Sequence, residues 1–273
     1  MNAPSKDNGT GTGTVADGTV ADGTVGKALA VLDQVAAYGR PVRFGELLDR
    51  SPFPKATLYR FVQTLTNQGM LAYDPDRQTY APGVRLLRLA HAAWAQSSLA
   101  PIARPYLDRL AEATGETLHL AQMERGQVLY VDKRNAAEPI EMFSQAGKVG
   151  PGYCTGVGKA MMAFLPEDDR RAAIRQQSFF AHTPATLASP TALEADLARI
   201  RAEGVSYDRE EHEPGIICIA VPILSSKGRV LGALSITSST ARASLDGLGR
   251  HRIALQSTAA DIAQAAETWQ FPT

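Results

Sequence analysis

The chain has 273 residues, 44% of them hydrophobic, and its 28 Lys/Arg balance 28 Asp/Glu. That length exceeds a usual single domain, so two domains with sizeable cores are expected. No apolar run approaches the ~20 residues of a membrane helix, no apolar signal core opens the chain, and Cys154 and Cys218 are too few for a disulfide framework. These features exclude membrane-spanning and disulfide-stapled classes and make a cytoplasmic protein the expectation.

The neutral charge is unevenly spread. Residues 23–95 hold nine Lys/Arg against five Asp/Glu, a surplus of four, and the remainder of the chain is mildly acidic. A basic N-terminal module suits nucleic-acid binding. In front of it, residues 1–23 are rich in Gly, Thr and Asp, and Val15-Ala-Asp-Gly-Thr19 recurs as Val20-Ala-Asp-Gly-Thr24. Such a tract buries too little surface to offset its ordering entropy, so a disordered tail without function is expected.

Residues 25–38 place Ala28, Val31, Leu32 and Val35 on one face of a helix that Gly39-Arg40-Pro41 ends. A second short helix over residues 44–50 buries Phe44, Leu47 and Leu48. Ser51-Pro-Phe-Pro54 is a turn, with Pro54 suited to the start of a third helix. That helix carries the strongest signal in the chain. Leu58, Phe61, Val62 and Leu65 form its buried stripe, and Lys55, Thr57, Tyr59, Arg60, Gln63, Thr64 and Asn67 form the rest, without a carboxylate. Phosphates and base edges favour that composition. Gly69 ends the helix, and strands at 71–73 and 79–80 flank the turn-rich Asp74-Pro-Asp-Arg-Gln78, which brings Arg77 near the backbone of a bound duplex. Three helices and a hairpin make a winged helix-turn-helix over residues 24–83.

Residues 84–97 read as a linker helix, and residues 98–270 as a second domain. Within it, helices are expected at 99–113, 156–165, 167–177, 191–202 and about 248–269. The last should have Leu248, Leu255, Ala259, Ile262, Ala266 and Trp269 on one face. Strands are expected at 117–123, 128–132, 140–143, 216–224 and 230–236, with Ser225-Ser-Lys-Gly-Arg229 as a hairpin loop. The class is α+β, an antiparallel sheet flanked by helices.

In this order and spacing the motifs resemble the IclR family of bacterial transcriptional regulators over residues 24–268. The resemblance rests on Thr24-Val-Gly-Lys-Ala-Leu-Ala-Val-Leu32, Ala56-Thr-Leu-Tyr-Arg60 with Leu65 and Gly69, Tyr80 with Gly83, and Gly115-Glu-Thr117. Its most specific parts are Thr155-Gly-Val-Gly-Lys-Ala160 and Tyr207-Asp-Arg-Glu-Glu-His212, followed by Gly215, Cys218-Ile-Ala220 and Pro222. It implies a winged-helix domain, a linker helix and a GAF-like effector domain, in dimers often paired into tetramers on DNA. It also implies an effector site for small organic acids. By position, Gly156 and Val157 would offer N–H groups at a helix N-terminus, Asp208, Cys218, Ser235 and Thr237 a polar lining, and Met142 and Ile216 apolar walls. A helix N-terminus is a sound carboxylate site, because its unpaired N–H groups and dipole both favour an anion. Ser235 and Thr237, two apart on a strand, share one face. Val157 stands where a smaller residue is common in the family, and Ser51-Pro52 replaces a commoner glycine-containing turn.

Gly156-Val-Gly-Lys159 is no phosphate loop, since Tyr153 stands at the first glycine position and Ala160 follows the lysine. Asp208, Glu210, Glu211, His212 and Glu213 would serve a metabolic enzyme or metal-dependent hydrolase only with a metal or nucleophile. Their spacing is not that of a metal motif, and a loop held by carboxylate–backbone hydrogen bonds is the simpler reading. Cys154 and Cys218 read as small buried hydrophobes with no paired base. The expectation is therefore a non-enzymatic regulator, without cofactor or metal, that binds double-stranded DNA, a small carboxylate and further copies of itself.

Overall fold

The computed structural model describes residues 23–97 and 99–267, and the chain divides between Ala93 and Trp94 into two compact units. The expected tail lies outside the described residues apart from Gly23, the first residue of a helix. The first unit runs α1 (Gly23–Ala37), β1 (Val42–Arg43), α2 (Phe44–Arg50), α3 (Lys55–Asn67), β2 (Leu71–Asp74) and β3 (Thr79–Pro82). Its core joins Val31, Leu32 and Val35 of α1 to Leu47 of α2, the four stripe residues of α3, and Leu71 and Tyr80 of the hairpin. Strand β1 is too short to show a period-two pattern in sequence. It forms because Val42 and Arg43 pair with Tyr80 and Thr79, giving an antiparallel sheet in the order β1-β3-β2. Gly69, at φ +69°, turns the chain out of α3. Gly83 packs so closely on the Gly69 carbonyl that a Cβ there would overlap it.

Helix α4 (Val84–Ser97) crosses the division. The second unit continues with α5 (Ala100–Thr114), β4 (Thr117–Glu124), β5 (Gln127–Arg134), β6 (Val149–Pro151), α6 (Gly156–Ala163), α7 (Glu167–Arg175) and α8 (Pro190–Glu203). It closes with β7 (Ser206–Arg209), β8 (Ile216–Leu224), β9 (Val230–Ser239), α9 (Leu245–Gly249) and α10 (Arg252–Ala266). Six antiparallel strands lie in the order β6-β5-β4-β9-β8-β7. The strands alternate large and small side chains, and that alternation sorts the layers. Leu118, Leu120, Ile217, Ile219, Val221, Leu234 and Ile236 face α5 and α10. Ala121, Ala220 and Ala233, on the opposite face, admit α6.

Three sequence readings need correction. Residues 140–143 are a loop, because β6 takes the free edge of β5, with Leu129 opposite Val149, and the Phe143 N–H bonds to Glu213 instead of a strand. Strand β7, read as part of a loop, pairs Asp208 with Cys218 at the other edge. The last helix is two, because Ser244 caps a short α9 and α10 starts only after His251. Leu248 is buried beside the α10 stripe, so the two faces looked continuous in sequence, and Trp269 lies outside the described residues.

Candidate functional site

The exposed side of α3 is the first candidate surface. Lys55, Tyr59, Arg60 and Thr64 are exposed, and Thr57 and Gln63 are half-buried. Tyr59 does not fold back on the hairpin. Its ring meets Phe44 of α2 edge-on at 5.8 Å and stays 53% exposed. Arg77 sits at the β2–β3 turn, where the Asp74 carboxylate accepts the N–H groups of Asp76 and Arg77 and lies 3.8 Å from the Arg77 guanidinium. At 80% side-chain exposure that contact leaves Arg77 largely hydrated.

The second candidate is a cavity at the N-terminus of α6. Gly156 lies so close to β8 that a Cβ on it would overlap the Cys218 sulfur, and a Cβ on Gly158 would overlap the Gly152 backbone. Gly156 therefore lets the helix sit on the sheet, and Gly158 lets it pack on the turn between β6 and α6. Thr155 precedes the helix but sends its hydroxyl to the Pro151 carbonyl at 2.8 Å and provides no side-chain cap. The first-turn N–H groups have no partner within the helix.

Around this end the structure gathers Gly156, Val157, Asp208, Ile216, Cys218, Ser235 and Thr237. Met142 is buried in the loop before β6 but does not line the cavity. Six lining residues escaped the sequence reading: His119, Tyr130, Ser144, Thr155, His212 and Glu213. His119 had a signal, since it follows Thr117 on one face of β4 and pairs with Ser235. Tyr130 and Ser144 had none. The space is tight, with about 30 Å³ open to the centre of a water-sized sphere, so any larger occupant needs side chains to yield.

The lining is polar but poor in charge. His119 meets Ser144 Oγ at 2.9 Å and Thr237 Oγ1 at 3.2 Å, and burial, reinforced by Lys133, pushes its pKa down to about 3, so it is neutral. Burial pushes Asp208 up to about 7, with the Glu211 charge adding to the shift and the Glu211 N–H, donated to Oδ1 at 2.8 Å, opposing it. Burial also raises both thiols, Cys154 to about 12, which leaves no thiolate nucleophile.

The carboxylates of Glu210, Glu211 and Glu213 have structural partners. Glu210 accepts from the Gly215 N–H at 2.7 Å, and Glu213 from the Phe143 N–H at 3.0 Å. Glu211 meets the Lys159 ammonium at 2.5 Å, and Asp196 of α8 meets the same ammonium at 3.1 Å. Lys159 is fully buried. Among the described residues, no group of three or more His, Cys, Asp or Glu is placed to hold a metal ion.

One contact ties the end of α4 to the cavity wall. Strand β5 carries an extra residue, Val131, because Leu120 pairs with Asp132 and Ala121 with Tyr130. The Val131 carbonyl accepts the Trp94 Nε1–H at 3.2 Å, and the Arg104 guanidinium lies 5.1 Å from the Trp94 ring centre. Tyr130, the neighbour of Val131, lines the cavity.

A three-helix unit with a small sheet and a carboxylate-free third helix, joined to an α+β unit with a buried polar cavity, defines the class of helix-turn-helix transcriptional regulators. Comparison with known proteins narrows this. The IclR helix-turn-helix domain matches residues 24–75, and the bacterial transcriptional regulator IclR C-terminal domain matches residues 91–264. The chain is 33% identical over 218 residues to the HTH-type transcriptional regulator BhcR of Paracoccus denitrificans, covering 80% of this chain and 78% of that protein. It is 29% identical over 239 residues to XynR of Escherichia coli, covering 88% and 95%. The crystal structure of the Thermotoga maritima IclR superposes with a TM-score of 0.71 at 26% identity, covering 88% of this chain and 97% of that one. The chain belongs to the IclR family of bacterial transcriptional regulators.

Proposed function

We propose that this regulator binds operator DNA through α3, with Lys55, Thr57, Tyr59, Arg60, Gln63, Thr64 and Arg77 as its contacts, and that a small organic acid in the α6 cavity sets DNA occupancy. The carrying observation is the pairing of a carboxylate-free exposed helix face with an uncapped helix N-terminus over a buried polar sheet face. Gly156 and Val157 would hold the acid's carboxylate by N–H groups, and Asp208, Cys218, Ser235 and Thr237 its remaining polar atoms, against Ile216. Met142, buried but outside the lining, would act on the acid only indirectly. Residues 24–83 would form the DNA-binding domain, 84–97 the linker and 98–270 the effector domain of a non-enzymatic, cytoplasmic repressor. Trp94 supports a route for the signal, since a movement at Tyr130 reaches the Val131 carbonyl that holds it. Val84 and Leu87, both 71% exposed, and Leu89 of α4 support association with a second copy.

Two measurements on one pair of proteins test this. Duplexes selected from a random pool should bind the wild type, and Arg60→Ala should weaken that binding and, where Arg60 contacts a phosphate, lower the salt slope by about one. A thermal-shift screen with small carboxylates should raise the midpoint of both proteins equally, because Arg60 lies outside the effector unit. Unchanged DNA affinity in Arg60→Ala removes the assignment of α3, and a screen without a stabilising acid removes that of the cavity.

A further inference from the structure

We propose that the effector acid is held together with one proton carried by Asp208, so that binding strengthens as pH falls. This rests on the reading of the cavity as an organic-acid site and adds the charge state in which that site works.

The argument starts from the shortage of positive charge. The cavity lies where an organic acid would bring a carboxylate, yet Asp208 and Glu213 line it too. The buried cation on α6, Lys159, is already shared between Glu211 and Asp196. The second Glu211 oxygen is itself buried without a hydrogen-bond partner, a sign that negative charge here is under-compensated. Lys159 and His212 both favour the ionised form of Asp208, but burial outweighs them, and the remaining elements packed around it bring no cation. Strand β8 brings the Cys218 thiol, the turn before α6 the Cys154 thiol, and β5 the Tyr130 phenol, all kept neutral by burial. The loop after β7 brings His212, which stands 3.6 Å from the Glu213 carboxylate and is thereby engaged. His119, at the far side, stays neutral.

Asp208 itself is 6% exposed and has one backbone N–H on one oxygen, far fewer donors than a buried carboxylate needs to stay ionised. Two carboxylates that share a low-dielectric site cannot both ionise without large repulsion. The free protein already holds Asp208 near its midpoint at neutral pH, at about 7. An incoming carboxylate raises that midpoint further, and the protonated side chain then donates to the ligand. Ionised Asp208 would instead repel it. By linkage, affinity falls about tenfold per pH unit once pH exceeds the free protein's midpoint, up to the midpoint of the complex. The site thereby selects acids that accept a hydrogen bond beside their carboxylate.

The test uses the full chain, its Asp208→Asn variant, and glyoxylate, pyruvate and benzoate as probes. Calorimetric titration at about pH 6 and about pH 8.5 should give the wild type more than about tenfold weaker binding at the higher pH, with net proton uptake. Asp208→Asn, which keeps a donor and loses the titration, should bind with one affinity at both. Infrared difference spectra of wild type minus variant should carry a protonated-carboxyl band at about pH 6 that fades by about pH 8.5. Equal wild-type affinity at both pH values, or absence of that band, overturns the proton-linked inference and leaves the acid site standing. Failure of all three probes at about pH 6 overturns the acid site and this inference with it. A variant that fails to fold leaves the wild-type pH dependence and proton uptake to decide.

Discussion

At the residue scale, the side chains that matter most are those whose partners lie far away in sequence. Lys159 is the clearest case. In the sequence it closes a glycine run within the family motif, and nothing local shows its ion pairs, because Asp196 and Glu211 are 37 and 52 positions away. In the fold it is fully buried between them and binds α6 to α8 and to the loop after β7. Removing the cation leaves Glu211 uncompensated and Asp196 with Arg199 alone, a loss of ~3–5 kcal/mol by analogy with other buried pairs. Lys159→Met should therefore lower the urea midpoint strongly, and adding Glu211→Leu should restore part of it. A Lys159→Met unfolding free energy within about 1 kcal/mol of wild type would show that water or rearrangement satisfies the carboxylates. Arg60 is the opposite case, legible at once because exposed polar residues on an amphipathic helix declare themselves by spacing alone.

At the element scale, the helices with one buried stripe and the turn-flanked hairpin β2–β3 were readable, and strands β1, β6 and β7 were not. Helix α3 runs Lys55–Asn67, close to the expected bounds, since four apolar residues at helical spacing fix both its period and its face. Strands β1, β6 and β7 have four residues or fewer and exist by pairing with a neighbour, a relation that local pattern does not carry. The same holds for the bulge at Val131, which frees the carbonyl that Trp94 uses. That joint yields a prediction for α4 as an element. Trp94→Phe keeps the ring's packing and removes one hydrogen bond, worth ~1 kcal/mol. An acid found in the screen should bind this variant within a few-fold of wild type, while its effect on DNA affinity should shrink several-fold. Undiminished coupling in the variant would show that the signal bypasses Trp94.

At the scale of the whole molecule, an operator-reading regulator gains from two linked binding units. Helix α4 carries Val84, Leu87 and Leu89 exposed in the single chain, more apolar surface than a solitary helix needs. Sedimentation of the full chain should give a dimer or tetramer, and Leu87→Glu should shift it toward monomer while the thermal response to an acid persists. A wild-type monomer at micromolar concentration would remove the proposed self-association. By itself the sequence determined the α+β class, the helix-turn-helix and its polar face, and the family, because these follow from periodicity, composition and motif order, while the family resemblance pointed to Gly156, Val157, Asp208, Ile216, Cys218, Ser235 and Thr237 in the cavity's lining. Only the tertiary structure decided that His119, Tyr130 and Ser144 join that lining, that Met142 does not, that Lys159 is an interior ion-pair centre, and that Asp208 sits where a proton is hard to lose. The physical reason is common to all four. Burial, pairing and local dielectric depend on which distant segments meet, and no window of the sequence contains both sides of such a contact.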